Sequence, residues 1–250
     1  MNTKKFLAAV TVIFILPVFV FSKDLTEEPA NLQTDIGFGL FWVPAGLIAA
    51  GVVLRDVGKD SFFGKNTLQR RFSNGERHNN LDDYLQFAPL AGVVGLPLLT
   101  NIPHRSSYPR LLMLTAVSQV LSFGVVHGAK KLFDDTRPNA SPDSFPSGHT
   151  AQAFMGAQIL YLEYRDTNKW IAYAGYPVAA FVGADRVINN DHWVCDVLAG
   201  AGIGMAVPTL VYWADKEWFH DSDSKYAASK YTITPLYAEN TYGLNLNIAF

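Results

Sequence analysis

Six apolar blocks, separated by charged or Pro/Gly-rich breaks, constrain the fold of this chain more than any other feature. They occupy residues 36–54, 84–102, 111–126, 150–162, 170–183 and 193–213. The blocks are too long and too rich in Ala, Leu and Gly for β-strands, so they predict six helices. Only the first and the last comfortably reach the ~20 residues that a helix needs to cross a bilayer. The pattern therefore predicts an all-α bundle of about six apolar helices, associated with a membrane.

Composition supports a packed, apolar protein and excludes several classes. Of the 250 residues, 49% are apolar and 17% are charged, against about 25% charged in an average soluble domain. The net charge of −2 argues against a nucleic-acid-binding protein. One cysteine excludes an internal disulfide framework and a Cys-rich zinc site.

The first 22 residues have the pattern of an export signal. Lys4 and Lys5 precede an apolar run over residues 6–21, and residues 20–22 form an acceptable cleavage site. An uncleaved membrane anchor is the alternative. Export predicts a place in the cell envelope, with the active site facing the periplasm or exterior, or a soluble periplasmic protein instead.

The C-terminal tail differs from the rest of the chain. Residues 231–237 and 244–250 alternate apolar and polar side chains around a turn at 240–243, which predicts a short β-hairpin. The predicted organisation is a signal or anchor at 1–22, a first helix and polar linker at 23–83, a helical domain at 84–213 and a tail at 214–250.

Three motifs that carry chemistry follow one another between residues 130 and 196. The first is K-x6-R-P, with Lys130 and Arg137; the second is P-S-G-H, with Ser147, Gly148 and His149; the third is R-x5-H-x3-D, with Arg186, His192 and Asp196. At ordinary residue frequencies, all three in this order arise by chance about once in a million chains or less. The combination is therefore specific, although each motif alone is weak.

Together the motifs resemble those of the type 2 phosphatidic acid phosphatase (PAP2) superfamily, which includes bacterial class A acid phosphatases and vanadium haloperoxidases. The resemblance is close over residues 130–196 and looser over about 84–213, so it implies that the helical domain is a PAP2-like phosphatase. One position departs from the pattern, because Asp185 stands before Arg186 where the family usually has serine. This extra carboxylate is expected to weaken phosphate affinity or to redirect the arginine.

The residue types fit phosphoryl transfer on physical grounds as well. A transferring phosphoryl group spreads negative charge over three oxygens, which fixed positive donors must stabilise. Lys130, Arg137 and Arg186 can supply them, and arginine forks match phosphate geometry. Ser147 and Gly148 precede an apolar block, which predicts free backbone N–H groups at a helix N-terminus, a ready anion site.

Two histidines divide the expected chemistry. His192 and Asp196 are four residues apart at the start of the last helix, so they share one face, and the carboxylate can hold one ring nitrogen while the other stays free. The resemblance implies that His192 is the nucleophile that forms a phosphohistidine and that Asp196 orients it. It also implies that His149 protonates the leaving oxygen and then activates water. We expect neither a metal nor another cofactor, because cationic side chains take the metal's place.

Other residues have simpler interpretations. His78, His104 and His220 are expected to be surface or helix-capping residues, and His127 either lines the site or does the same. Asp134 and Asp135 are expected to be solvated loop charges. Gly200 and Gly204 form a small-residue face that packs helices, and Cys195 is expected to fill the core.

Three functional classes remain open at this stage. The first is a phosphatase acting on a lipid phosphate or diphosphate, such as phosphatidic acid, a prenyl diphosphate or lipid A. The second is a periplasmic acid phosphatase of broad specificity that acts on small phosphate esters, and the third is a vanadate-dependent haloperoxidase.

The predicted membrane spans conflict with an active site outside the cell. If the signal is cleaved and the first three blocks all cross, the loop after Lys130 falls inside the cell. Either the signal stays as an anchor or one early block does not cross, and the broken block at 84–102 is the candidate for a re-entrant or peripheral helix.

Overall fold

The computed structural model describes residues 36–57, 61–73 and 79–219, and two strands at 231–238 and 241–248. The export signal, His78 and His220 therefore lie outside the described residues. The described part holds a 3-10 turn at Phe38–Phe41 followed by eight α-helices: α1 (Trp42–Asp56), α2 (Lys65–Phe72), α3 (Leu81–Leu85), α4 (Ala88–Leu99), α5 (Tyr108–Phe133), α6 (Gly148–Tyr164), α7 (Lys169–Ile188) and α8 (Val194–Phe219).

The predicted fold class, a membrane-associated all-helical bundle with a small hairpin, is confirmed. Five of the six blocks each form one helix, whereas the block at 84–102 contributes to two, α3 and α4. The division falls before Pro89, which occupies the first turn of α4, where a proline costs no helical hydrogen bond. The short polar helix α2 was not predicted, because it contains almost no apolar residues.

Three helices in the described part are long and apolar enough to cross a membrane: Phe38–Asp56, Tyr108–Phe133 and Val194–Glu217. The prediction that only the first and last blocks reach this length was wrong. Helix α5 extends the third block at both ends, because it starts with Pro109 in its first turn and continues through Lys130 and Lys131 to a left-handed residue at Asp134. Polar and basic residues in its end turns had hidden that length.

The core is built around α6. Every residue of α6 from Thr150 to Tyr164 is buried except Gln152. Helix α8 packs closely against it, because a Cβ on Gly200 would lie 2.5 Å from the Ser147 carbonyl oxygen and one on Gly204 would overlap the Ala151 carbonyl oxygen. The prediction that Gly200 and Gly204 pack helices is therefore confirmed.

One end of the bundle collects the chain segments that carry the motifs. Helices α5 and α7 end there, α6 and α8 begin there, and α1 ends there, where Arg55 pairs with Asp135. We call this end, defined by Lys130, His149, Arg186 and His192, the site end.

The segment at 84–102, expected to be re-entrant or peripheral, runs alongside α6, and its position relative to the membrane stays a prediction. Gln86 lies beside Gly148 at the start of α6, and Gly92 in α4 packs on Leu160 in its last turns. Farther on, the Arg105 amide donates to the Glu163 carbonyl oxygen. The chain thus runs alongside α6 from the site end to the opposite end, where α5 begins.

Two C-terminal strands pair as the alternating tail predicted. β1 (Tyr231–Ala238) and β2 (Thr241–Ile248) are antiparallel, with Tyr231 opposite Ile248 and Ala238 opposite Thr241. The second strand begins three residues earlier than the pattern indicated.

Candidate active site

The His192 and Asp196 pair forms as the spacing predicted. His192 Nδ1 lies 3.2 Å from Asp196 Oδ2, and both side chains are only 1% exposed. Because a carboxylate only accepts, the Nδ1–H donates and Nε2 remains the free nitrogen of the ring. This is the tautomer that a nucleophilic histidine needs.

Three donors contact one oxygen of the Asp196 carboxylate, Oδ2. Besides His192, the Ser144 hydroxyl donates to Oδ2 at 2.5 Å and the Trp193 amide donates at 2.9 Å. The sequence did not single out Ser144, because it stands outside the three motifs. Its contact ties the loop before α6 to the start of α8.

Burial decides the charge of the His192 ring. It lowers the pKa of His192 to about 4, although the hydrogen bond and charge of Asp196 act in the opposite direction. Desolvation disfavours the charged imidazolium, and the nearby charges of Arg186 and Arg137 act the same way. The ring is therefore neutral near pH 7.

Two arginines leave buried donors unused. Arg137 Nε and Arg186 Nε are buried and have no hydrogen-bond partner among the described residues. Burial, and next the positive charge of Arg186, lower the pKa of Arg137, so the two guanidiniums are close. A buried N–H without an acceptor costs free energy, and an anion bound between the two would satisfy both.

The third predicted cation, Lys130, also lies at the site end, but its ammonium group is bonded to backbone carbonyl oxygens. Its Nζ donates to the Asp143 carbonyl oxygen at 2.5 Å and is 3.4 Å from the Ser144 carbonyl oxygen. These contacts link the end of α5 to the loop that leads into the P-S-G-H motif.

The start of α6 partly agrees with the predicted phosphate site. The Ser147 hydroxyl caps the helix by accepting from the Thr150 amide and hydroxyl, and the Ser147 amide donates to the Asp196 carbonyl oxygen at 3.0 Å. Both predicted contributions of Ser147 are therefore engaged within the protein. The backbone donors left for an anion are those of the first helical residues, Gly148 and His149.

Gly148 leaves space beside the site. A Cβ added there would meet only Val126 Cγ1, at an ordinary 3.8 Å. Protein packing therefore does not demand glycine at this position.

Helix α3 brings in two carboxylates that the sequence reasoning missed. Asp82 Oδ2 lies 2.5 Å from Arg186 Nη1, and Asp83 Oδ1 lies 3.0 Å from His149 Nε2. Arg186 Nη1 is also 3.3 Å from Asp191 Oδ2. Two adjacent carboxylates before an apolar block were the available signal, but nothing in the sequence named their partners.

The Asp83 contact gives His149 the same arrangement as His192. Its Nε2–H donates to Asp83, which leaves Nδ1 for proton transfer. Burial and next the charge of Arg186 lower the pKa of His149, while the charge of Asp82 and the hydrogen bond of Asp83 oppose that shift. The site therefore contains two carboxylate–histidine pairs, one buried and one partly exposed.

Asp185 does not redirect Arg186, contrary to one expectation. Its carboxylate accepts from Asn79 Nδ2 at 3.0 Å and from Asn189 Nδ2 at 3.0 Å, and no ion pair with Arg186 is present in the described part of the chain. The carboxylate instead anchors the segment that leads into α3. The residue that departs from the family pattern thus supports the helix that carries Asp82 and Asp83.

The same cluster has the spacing of a metal site. Ligand atoms of Asp82, Asp83 and His149 lie within 4.8 Å of one another. However, Arg186 Nη1 lies 2.5 Å from Asp82 Oδ2 and 3.9 Å from Asp83 Oδ1. The guanidinium therefore supplies a positive charge where a metal ion would. The absence of a metal from this site stays a prediction.

The remaining sequence expectations have mixed outcomes. Cys195 is buried, as predicted. Asp135 is not a solvated loop charge, because it pairs with Arg55, and His104 is not a surface residue, because it is buried against Tyr164. His127 lies beside the site, where it lines a cavity together with His149.

Several known proteins are similar to this chain. A protein of Porphyromonas gingivalis named lipid A 1-phosphatase is 30% identical over 240 residues, which are 88% of this chain and 53% of that protein. This chain thus spans about half the length of that relative.

Two solved structures match part of the chain. The Aquifex aeolicus LpxE structure covers 64% of this chain and 98% of its own, at 22% identity and a TM-score of 0.43. The first transmembrane PAP2 type phosphatidylglycerolphosphate phosphatase from Bacillus subtilis covers 72% of this chain and 99% of its own, at 19% identity and a TM-score of 0.48.

Residues 111–219 match the family model described as PAP2 superfamily. This range contains the three motifs and the helices that carry them, α5 to α8. The match confirms, over this part of the chain, the resemblance to the PAP2 superfamily that the motifs indicated.

Proposed function

We propose that the protein is a metal-independent phosphatase that hydrolyses a lipid phosphate through a phosphohistidine. The observation that carries this proposal is the pair of unpartnered, buried guanidinium N–H groups on Arg137 and Arg186, beside a neutral histidine. A phosphate bound there would receive donors on its equatorial oxygens, with His192 Nε2 available for in-line attack.

In the first step, the lone pair of His192 Nε2 attacks phosphorus and the bond from phosphorus to the leaving oxygen breaks. His149 Nδ1–H gives its proton to that oxygen, so the alcohol leaves neutral. Asp196 stabilises the positive charge that develops on the His192 ring, as the carboxylate does in a catalytic triad. Asp83 stabilises the protonated form of His149 in the same way.

In the second step, water attacks the phosphohistidine. His149, now neutral, takes a proton from that water through Nδ1, and the nitrogen–phosphorus bond breaks. The products are an alcohol and inorganic phosphate, and both histidines return to their starting states.

A lipid substrate fits the surroundings of the site. Two of the three helices long enough to cross a membrane, α5 and α8, carry Lys130 and Asp196. The relative from Porphyromonas gingivalis is named for lipid A 1-phosphate, so we place lipid A first among the candidate lipids.

A phosphate-release panel on the purified full chain tests this proposal. It compares lipid A, phosphatidic acid, a prenyl diphosphate and p-nitrophenyl phosphate, with His192→Ala as the matched control. We expect release from at least one lipid by the wild type and none by the variant. Release from p-nitrophenyl phosphate alone would favour a broad-specificity acid phosphatase and refute the lipid assignment.

A further inference from the structure

A cavity of about 170 Å³ opens directly beside His149, between α3, α5 and α6. Its wall includes Gly148 and His149, so a group bound in it lies next to the phosphate. Besides the apolar Phe123, Val126 and Ala151, the wall includes five polar side chains: Gln86, Gln119, Ser122, His127 and Gln152. The mechanism above uses none of these five side chains.

Two glutamines form the polar centre of this cavity. Gln119 Nε2 donates to Gln152 Oε1 at 2.6 Å, which leaves Gln119 Oε1 as an acceptor and Gln152 Nε2 as a donor. Gln152 Nε2 is buried and has no hydrogen-bond partner among the described residues. Gln152 is also the residue at which the otherwise buried run of α6 opens.

Ser122 and His127 add further hydrogen-bonding groups from α5. The Ser122 side chain is 3% exposed, and its hydroxyl is buried without a partner in the described part of the chain. His127 Nδ1–H donates to the Phe123 carbonyl oxygen at 2.9 Å, so its Nε2 is left to face a ligand. Phe123 stacks on the His127 ring at 3.8 Å and gives the cavity an apolar rim.

The Ser122 hydroxyl and the Gln152 amide N–H groups are costly where they stand unless a ligand uses them. Polar side chains within membrane helices are rare and mark substrate paths, and a buried donor without an acceptor is destabilising. A prenyl chain offers no hydrogen-bonding atom beyond its phosphates. An acylated sugar offers hydroxyl, amide N–H and amide carbonyl groups within a few bonds of its phosphate.

We propose that this cavity is a substrate subsite that binds the hydroxyl and amide groups of a glycolipid head next to the phosphate. Gln152 Nε2 and Ser122 donate to it, while Gln119 Oε1 and His127 Nε2 accept from it. The protein therefore favours a glycolipid phosphate over a prenyl phosphate. This inference rests on the proposed phosphatase function and names its substrate class.

The test measures kcat/KM of the full chain in detergent for lipid A and for a prenyl monophosphate, and takes the ratio of the two. The double variant Gln119→Met/Gln152→Met replaces both amides by side chains of similar length, so neither amide is left without its partner. Two lost hydrogen bonds should lower the ratio about tenfold or more, and Ser122→Ala alone should lower it about threefold.

Gln158→Met is the matched control. It makes the same substitution on the same helix, at a buried glutamine that bonds Thr209 and Tyr176 and does not line the cavity. We expect it to lower stability and to leave the ratio unchanged.

The outcomes separate the subsite from the proposed function. If the wild type cleaves both lipids but neither the double variant nor Ser122→Ala changes the ratio, the subsite is wrong and the phosphatase function stands. An equal fall in Gln158→Met would also overturn the subsite, since packing would then explain the change. If the wild type cleaves neither lipid, both proposals fail. Should the double variant not fold, Ser122→Ala decides.

Discussion

The Asp83 contact to His149 gives the sharpest single prediction of the mechanism, because it lies outside the three motifs. Asp83→Asn keeps the shape of the side chain and removes its charge. The Asp83 side chain is 44% exposed and that of His149 is 29% exposed, so solvent screens the pair. Exposed ion pairs contribute about 0.2–1 kcal/mol, which limits the expected fall in kcat to about fivefold.

Asp83→Asn should also change the pH dependence of kcat in a definite direction. A negative Asp83 favours the protonated form of His149, so removing the charge lowers the pKa of His149 further. The first step needs His149 protonated, and the alkaline limb of kcat should therefore move to lower pH. KM should stay level or fall, because Arg186 also loses a carboxylate 3.9 Å away.

The assay is kcat and KM against pH on an alkyl phosphate and on p-nitrophenyl phosphate. The second substrate has a leaving group that barely needs a proton, so its kcat should fall less. Asp166→Asn is the matched control, since Asp166 pairs with Arg165 at the opposite end of the bundle and should change neither limb. An alkaline limb that stays in place or moves to higher pH would refute the role given to Asp83.

Three further predictions concern the metal, the buried pair and the packing. Chelators should leave phosphate release intact while vanadate inhibits it, and loss of activity in EDTA with recovery in magnesium would show that a metal is required. Asp196→Asn should lower kcat by about two to four orders of magnitude, whereas His192→Ala should abolish turnover with phosphate binding retained, as measured by equilibrium titration. Gly204→Val should lower stability by about 1–3 kcal/mol, because its Cβ would overlap the Ala151 carbonyl oxygen; melting in detergent should show a lower Tm, and Gly46→Val, with nothing within 4 Å, should not.

Residue spacing was enough to predict the parts of the site that are local in sequence. His192 and Asp196 are one helical turn apart, so helix geometry alone places them in contact. The helix N-terminus at Ser147 and Gly148 follows from their position before an apolar block. The small residues Gly200 and Gly204 likewise indicated close helix packing.

The parts that depend on distant contacts could not be predicted. Asp82 and Asp83 reach the site only because α3 packs beside the ends of α6 and α7, more than 60 residues later in the chain. Asp185 gained its role from Asn79, again through the fold. The length of α5 was underestimated because a helix can continue through basic residues when they lie at its end.

A rapid-quench experiment tests the central claim most directly. The full chain is mixed with a phosphate-labelled substrate, stopped within the first turnover and digested for mapping of the label. The mechanism predicts an acid-labile phosphoryl adduct on His192, absent from His192→Ala protein. Label on Ser147, or turnover of His192→Ala near the wild-type rate, would contradict the assignment of His192 as the nucleophile.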